Sequence, residues 1–165
     1  MSAAHVTRAL AAACLWLALC CADAAELHGY VVSVPDGDSI VVLDERRRQH
    51  RVRLAGIDAP EKGQRYSNRS RDNLNALLRL KHVLVVWHKR DSYDRLVGVV
   101  YLEGRDINLA QVQTGYAWWY RGYAGEQSYD ERRLYERAES AARQERRGLW
   151  VDARPVPPWA WRRAR

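Results

Sequence analysis

Residues 53–61 read RLAGIDAPE, in which the end of an apolar strand is followed at once by two carboxylates. Apolar side chains recur through residues 49–57, which predicts a β-strand. Asp58 and Glu61 follow that strand, and the proline between them restricts the preceding residue to an extended conformation. Carboxylates hold hard cations, and a guanidinium such as that of Arg53 holds phosphate. The stretch therefore predicts metal-assisted phosphodiester chemistry.

The segments on either side predict the rest of the fold. Residues 27–34 and 39–43 are valine-rich and are joined by the turn signal Pro35-Asp36-Gly37, so they are predicted to be strands. The pattern downstream predicts a helix at 67–80, strands at 82–87 and 96–102, a short helix at 107–114, and a long capped helix at 128–146. This order predicts an α+β domain, a five-stranded OB-type Greek-key barrel with three α-helices. In the long helix, Leu134 is expected to face inward.

The start of the chain is predicted to be a leader. An apolar run at residues 9–22 ends at Ala22-Asp23-Ala24, a small-x-small cleavage site, so residues 1–24 are predicted to be a signal peptide. An uncleaved anchor helix is the alternative. The rest divides into a domain at 25–150 and a Pro-, Trp- and Arg-rich tail at 151–165, which is expected to be extended. The mature protein is expected in the periplasm or outside the cell.

Cysteine usage and charge narrow the possible chemistry. All three cysteines lie in the predicted leader, at Cys14, Cys20 and Cys21, so disulfides, thiolate metal sites and cysteine nucleophiles are excluded from the domain. The net charge of +7 favours a polyanionic partner. Arginine predominates among the basic residues, and arginine pairs bidentately with phosphate. Codon bias toward arginine in a GC-rich genome is the alternative explanation.

A candidate metal site combines two acidic segments. Asp38 opens the second strand and Asp58 closes the third, and in a meander these positions can meet at one end of a barrel. With the backbone carbonyl of Ala59 they would make half of a calcium shell, which water would complete. Asp36 would add negative charge. The alternative is that Asp36-Gly37-Asp38 is only a hairpin turn.

Glu61 and two arginines are the candidate catalytic residues. From its loop, Glu61 could orient or deprotonate a water molecule, although a solvated loop glutamate is the simpler alternative. Arg53 and Arg95 could hold phosphate oxygens, and Arg95 could instead pair with its neighbour Asp94. The separation of Arg53 from Asp58 is odd, so an ideal strand would place the two side chains on opposite faces unless a bend or bulge intervenes.

An aromatic cluster between the last two helices could bind bases. Its members are Trp118, Trp119, Tyr120 and Tyr123, with Arg121 among them. Aromatic rings beside arginine make stacking platforms for nucleic-acid bases. The chain has no phenylalanine, so tryptophan and tyrosine must also fill the core. A mixed role is therefore expected, with Tyr123 the best candidate to face a ligand.

Taken together, these motifs resemble the staphylococcal nuclease (thermonuclease) family over about residues 27–150. The motifs that carry the resemblance are Asp36-Gly37-Asp38-Ser39, residues 53–61, Tyr93-Asp94-Arg95 and Gly148-Leu149-Trp150. The resemblance implies an OB-type barrel with helices packed on it and calcium-dependent cleavage of DNA and RNA. It also implies that a local bend brings Arg53 to the face of Asp58.

The resemblance assigns roles to individual residues. It implies calcium ligation by Asp38, Asp58 and the carbonyl of Ala59, general-base action by Glu61, and phosphate binding by Arg53 and Arg95. Tyr93 is expected near the substrate, with Tyr120 or Tyr123 as a second tyrosine. One departure is Asp94, at a position where glycine is frequent in the family. Asp94 could hold Arg95 back and weaken phosphate binding.

The sequence therefore predicts a calcium-dependent endonuclease acting on DNA, RNA or both by attack of water. The expected protein is a monomer without stable membrane association after the leader is removed. A non-catalytic OB-fold nucleic-acid-binding module is the alternative. It would keep the basic charge and the aromatic cluster without needing Asp38, Asp58 and Glu61 together. An envelope interaction protein that uses the Pro/Trp tail is a third reading.

Overall fold

The structure is a computed structural model that describes residues 24–165. Its strands are β1 Ala25–Ser33, β2 Ser39–Leu43, β3 Gln49–Leu54, β4 Ile57–Asp58, β5 His82–Arg90, β6 Leu96–Leu102, β7 Arg105–Asp106 and β8 Trp118–Trp119. Its α-helices are α1 Ser67–Leu78, α2 Ile107–Gln113, α3 Tyr129–Gln144 and α4 Pro158–Arg163. Two short 3-10 helices, Arg121–Glu126 and Gly148–Val151, flank α3.

Five of these strands close into a barrel. The strand order is β3-β2-β1-β5-β6, and β3 also pairs with β6, which joins the two edges. The closing pair is parallel, with Val52 opposite Leu96 and Leu54 opposite Gly98. Fully buried valines and isoleucines from the strands fill the interior, among them Val31, Ile40, Val42, Val85 and Val100. The predicted five-stranded OB-type barrel is confirmed.

The third strand ends earlier than the sequence pattern predicted. Strand β3 stops at Leu54, and the chain turns through Gly56, whose φ of 73° lies in the left-handed region. The two residues of β4 then leave the barrel and pair with β8, so that Asp58 lies opposite Trp118. This turn is the bend that the odd spacing of Arg53 and Asp58 requires.

Helix α3 begins and packs largely as its sequence indicates. Ser128 and Glu131 form the predicted capping box, in which each side chain accepts a hydrogen bond from the other residue's backbone N–H. The prediction that Leu134 faces inward is wrong, because its side chain is 49% exposed and the neighbouring Tyr135 is buried instead. The Tyr135 hydroxyl donates to Asp106 at 2.8 Å, which ties α3 to the start of α2.

The C-terminal tail was predicted to be extended, but part of it is helical. Residues 158–163 form α4, so the chain has a fourth α-helix in addition to the three that were predicted. Pro158 occupies the first turn of α4, where proline is compatible with a helix because its missing N–H would have no intrahelical partner. The Trp159 ring lies 5.4 Å from the Tyr120 ring and 6.4 Å from the Trp118 ring, and these contacts dock the helix on the domain.

Within residues 24–165, none of the helices combines the length and the apolar character needed to cross a membrane. The predicted signal peptide at 1–24 lies outside the described residues except for its last position. The leader and the expected location therefore stay predictions.

Candidate active site

Arg53 lies between the two aspartates that the sequence singled out. Its Nη1 is 2.8 Å from Asp38 Oδ2, and its Nη2 is 3.4 Å from Asp58 Oδ1. Nη2 also donates to the carbonyl of Ile57 at 3.1 Å. Asp38 Oδ2 also accepts a hydrogen bond from the backbone N–H of Ala59 at 2.8 Å. One guanidinium therefore reaches two carboxylates that are 20 residues apart in the chain, one just before β2 and the other at the end of β4.

Burial and like charge make these carboxylates unfavourable as free anions. Asp38 is 8% exposed and Asp58 is 1% exposed. Burial raises the pKa of Asp58, and the charge of Asp38 raises it further. Burial and Asp38 together raise the pKa of Asp36 to about 6. Burial works against the charge of Arg53, but Asp38 and Asp58 outweigh it and raise the Arg53 pKa. The cluster therefore favours positive charge beside its carboxylates.

The donor set fits a hard cation. Two carboxylates within reach of one guanidinium provide oxygen ligands only, which is the chemistry that calcium prefers. Ala59, whose N–H donates to Asp38, could add its carbonyl. In the part of the chain that the structure describes, no three His, Cys, Asp or Glu side chains form a ready metal cluster. Asp38, Asp58 and Ala59 would hold the ion with water supplying the remaining oxygens.

The side chain of Glu61 lies on the solvent-exposed side of this cluster. It lines a cleft of about 410 Å³ together with Asp36, Asp38 and Ala59. The backbone N–H of Glu61 donates to Gln64 Oε1 at 2.9 Å, and Gln64 is itself buried, so the loop around Glu61 is held in place. The Glu61 side chain is 39% exposed. A carboxylate placed in this way can accept a proton from a water molecule in the cleft.

A second cleft brings the two predicted phosphate-binding arginines together. It has a volume of about 250 Å³, and Arg53, Arg95, Tyr93 and Tyr123 are among the residues that line it. Lys89 lies in the same cleft and has its ammonium 5.1 Å from the centre of the Tyr123 ring. Arginines, a lysine and exposed tyrosines in one groove are suited to a phosphate chain and its bases.

Arg95 is held by Asp91 and not by Asp94. Its Nε lies 2.7 Å from Asp91 Oδ2, and its backbone N–H donates to Asp91 Oδ1 at 3.0 Å. Asp94 instead pairs with Arg90 at 2.9 Å. Asp94 has a φ of 59°, a left-handed conformation that explains why glycine suits this position. The prediction that Asp94 could hold Arg95 back is wrong, because the turn points the two side chains to different partners.

The predicted tyrosines divide between two environments. Tyr93 and Tyr123 are 69% and 45% exposed and line the arginine cleft. Tyr120 packs edge-on against Tyr123 at 4.9 Å and also against Trp159 of the tail helix. Trp118 and Trp119 are buried and pack in the interior, whereas base binding by the cluster stays a prediction. Of the cluster, Tyr123 is the member that reaches the cleft.

The structure adds one residue that the sequence did not single out. Arg162, in α4, places Nη2 2.8 Å from Asp58 Oδ2 and Nη1 3.1 Å from Asp58 Oδ1. Its Nη1 also donates to Glu61 Oε1. The only sequence signal was an arginine-rich tail, and nothing in that composition distinguishes Arg162 from the arginines around it.

The chain is similar in sequence to known nucleases. Residues 51–152 match the family model described as staphylococcal nuclease homologue. The chain is 43% identical over 148 residues to an uncharacterized endonuclease of Escherichia coli O157:H7, covering 89% of this chain and 90% of that protein. It is 42% identical over 149 residues to a micrococcal nuclease of Shigella flexneri, covering 85% and 83%. It is 38% identical over 133 residues to an uncharacterized endonuclease of Haemophilus influenzae, covering 81% and 71%.

Proposed function

This chain belongs to the staphylococcal nuclease family and is an endonuclease, and we propose that it is calcium-dependent, with Asp38, Asp58 and Ala59 as its ligands. The observation that carries the proposal is the approach of Asp38 and Asp58 to the single guanidinium of Arg53, at 2.8 and 3.4 Å. Two buried carboxylates held this close offer only oxygen donors to an ion, and oxygen donors suit calcium. When bound, the ion would supply Lewis-acid stabilisation of the charge on a substrate phosphate.

In this proposal Glu61 accepts the proton of the attacking water. Its carboxylate lines the cleft that also holds Asp36 and Asp38, and its loop is fixed by the bond to Gln64. A carboxylate in this position can orient a water molecule toward a phosphate and accept its proton. General-base catalysis of this kind contributes about 10²–10⁴-fold to a rate.

Arg53 and Arg95 bind the nonbridging oxygens of the phosphate. Both line the same cleft, so a phosphate bound there would meet both arginines. Fixed cations stabilise the negative charge that grows at phosphorus as water attacks. Neither arginine is a suitable acid for the leaving oxygen, because the pKa of arginine is above about 12.

Nucleic acid is the substrate, and the cleft suggests how it is held. Tyr93 and Tyr123 present exposed rings beside Arg53, Arg95 and Lys89. Base stacking on the tyrosines would leave the arginines to the backbone phosphate, so that binding would depend little on sequence. We further propose that the protein is exported after removal of residues 1–24. It would then act as a monomer, without stable membrane association, in the periplasm or outside the cell.

A non-catalytic binding module on the same barrel is the competing proposal. Such a module would use the arginine cleft and its tyrosines but would have no use for Glu61 beside two buried aspartates. The geometry favours the enzyme, because Glu61 lines the same cleft as Asp36 and Asp38, an arrangement that binding alone does not require.

Plasmid and single-stranded DNA digestion by the purified protein tests the calcium requirement. We expect cleavage with calcium, its loss with a chelator and its return when calcium is added again. Asp38→Asn should lower calcium affinity by at least about tenfold, since one charged ligand is lost. Asp130→Asn, which changes an exposed carboxylate at the start of α3, is the matched control. Full activity in the chelator would overturn calcium dependence, and binding without cleavage would favour the module.

A further inference from the structure

The tail helix places a cation directly on one proposed calcium ligand, Asp58, and on Glu61. Arg162 uses two nitrogens on the two oxygens of Asp58, at 2.8 and 3.1 Å, and one of these also reaches Glu61. Such a two-pronged arginine–carboxylate contact is among the strongest and most directional ion pairs in proteins. The contact joins positions that are 104 residues apart, so it is a property of the tertiary structure.

Arg162 is held there by a docked element. Trp159, three residues earlier on α4, packs on Tyr120 and Trp118 of the domain. Just before the helix, Gln64 Nε2 donates to the carbonyl of Val156 at 2.6 Å. Gln64 is the same buried residue that fixes the loop of Glu61. The tail is thus attached to the catalytic loop, and Arg162 projects from a helix with defined contacts.

Arg162 and a divalent cation would compete for the same atoms. Both oxygens of Asp58 are bonded to the guanidinium, so neither can point its free lone pairs at an ion without weakening that pair. Like charges also repel strongly at ligand distance where water is partly excluded, and Asp58 is only 1% exposed. Simultaneous occupation of Asp58 by Arg162 and by calcium is therefore unfavourable.

We propose that Arg162 is an intramolecular latch on the active site: it occupies Asp58 and Glu61 when calcium is absent and withdraws when calcium binds. The inference rests on the proposed calcium site and adds a regulatory role for the tail. Part of the binding free energy of calcium is spent on opening the latch. The calcium concentration needed for activity is therefore higher than the ligands alone would set. Withdrawal also releases Glu61 for its role as a base.

Calcium titration by calorimetry tests the latch on the mature protein. We expect Arg162→Gln to bind calcium at least about fivefold more tightly than the wild type, the usual lower range for coupling between two sites. Arg162→Lys, which keeps the charge and loses the two-pronged contact, should fall between them. The matched control is Arg163→Gln, which removes the same charge from an exposed neighbour on the same helix. Unchanged or weaker binding by Arg162→Gln would overturn the latch.

Hydrogen exchange provides a second readout that does not depend on activity. If calcium expels Arg162, the backbone amides of residues 159–163 should exchange faster with calcium than with a chelator, while those of the barrel exchange more slowly. Slower or unchanged exchange in α4 would contradict the latch. Trp159→Ala, which removes the docking side chain, should also tighten calcium binding, so the test does not depend on one variant.

The calcium site and the latch can be tested separately. If the wild type binds no calcium and cleaves DNA in a chelator, the calcium site is wrong and the latch with it. If the wild type binds calcium and Arg162→Gln binds it no more tightly, only the latch is wrong. A fall in cleavage by Arg162→Gln at saturating calcium would also count against the latch, because it would make Arg162 a phosphate-binding residue.

Discussion

Arg53 Nη2 lies 3.4 Å from Asp58 Oδ1 although their positions in the chain differ by an odd number, 5. In a continuous strand the two side chains would point to opposite faces. The chain avoids this by ending β3 at Leu54 and turning at Gly56, with backbone bonds on both sides of the turn. The N–H of Ala55 donates to the carbonyl of Gly98 at 2.8 Å, and the carbonyl of Gly56 accepts from Tyr120 at 2.9 Å. The geometry of the active site therefore depends on this turn.

Substitution of Gly56 should damage the site more than it damages the fold. Gly56→Ala forces a side chain into the left-handed region, at a cost of about 1–2 kcal/mol, and its Cβ would lie 2.7 Å from Gln127 Nε2. Gly104→Ala is the matched control, because its φ is 78° and nothing lies within 4 Å of the new Cβ. Urea unfolding should show similar losses of stability, while calcium-dependent cleavage should fall at least about tenfold for Gly56→Ala alone. Equal activity in the two variants would contradict this role of the turn.

Sequence patterns predicted those parts of the molecule that depend on local residues. The alternation within each strand and the capping box at Ser128 each involve residues only a few positions apart. The barrel and α3 could therefore be predicted. Asp38 and Asp58 could also be predicted, because the sequence pattern placed one at the start of the second strand and the other at the end of the third. The position of Arg162 could not be predicted, because it depends on how Trp159 docks. The tail helix itself was missed because proline in a first helical turn was read as a sign of extended chain.

The sequence also could not predict which nearby carboxylate pairs with Arg95. Asp91 and Asp94 are both close to Arg95 in sequence, and composition alone favoured the immediate neighbour. The turn decides between them, because the left-handed conformation of Asp94 directs its side chain to Arg90. Backbone conformation at a single residue therefore determines which carboxylate orients a proposed catalytic arginine.

Glu61→Gln should nearly abolish cleavage while the protein stays folded. The amide keeps the size of the side chain but cannot accept a proton from water, so kcat should fall about 10²–10⁴-fold. The measurement is steady-state cleavage at saturating calcium, with the unfolding midpoint recorded alongside. Glu136→Gln, an exposed glutamate on α3, serves as the control and should leave kcat unchanged. A Glu61→Gln variant with nearly full activity would exclude the role of general base.

Asp91→Asn should impair cleavage, and Asp94→Asn should not. The asparagine oxygen can still accept the backbone N–H of Arg95, but its amide nitrogen would face Arg95 Nε, and two donors cannot bond. The displaced guanidinium should lower kcat/KM by about tenfold to a hundredfold. Asp94→Asn removes only the pair with Arg90, and asparagine tolerates the left-handed conformation. A larger loss of kcat/KM from Asp94→Asn than from Asp91→Asn would reverse the assignment.

Asp91 should also make stability depend on acidity. Partial burial raises its pKa, but hydrogen bonds from the backbone and side chain of Arg95 outweigh it and lower the pKa below the ordinary value of 3.8. A lowered pKa in the folded state means that the stabilisation is present above pH 3.8 and is lost as the pH falls through the folded value. The wild type should exceed Asp91→Asn in free energy of unfolding by less than about 1 kcal/mol at neutral pH, and the difference should vanish in acid. In an Arg95→Ala background the side-chain contribution should be absent at every pH.

Glu139 supports the active site from the opposite side of β8. Its side chain is 1% exposed, and its Oε1 accepts the backbone N–H of Trp119 at 3.2 Å. Its Oε2 lies 3.0 Å from Arg121 and 3.3 Å from Arg143. Because β8 pairs with the strand that carries Asp58, this buried carboxylate fixes the backbone against which the proposed calcium ligand is positioned.

Two substitutions at Glu139 should separate this support from general stability. Glu139→Gln keeps an acceptor for Trp119 and loses the ion pairs, so it should cost about 1–2 kcal/mol of unfolding free energy and leave calcium affinity nearly unchanged. Glu139→Ala also leaves the Trp119 N–H unpaired in the interior, so it should cost about 2–4 kcal/mol and weaken calcium binding. Urea unfolding and calcium titration of both variants, with Glu136→Ala on the exposed side of α3 as the control, make the comparison. Equal calcium affinity in the alanine and glutamine variants would show that β8 holds Asp58 in place without Glu139.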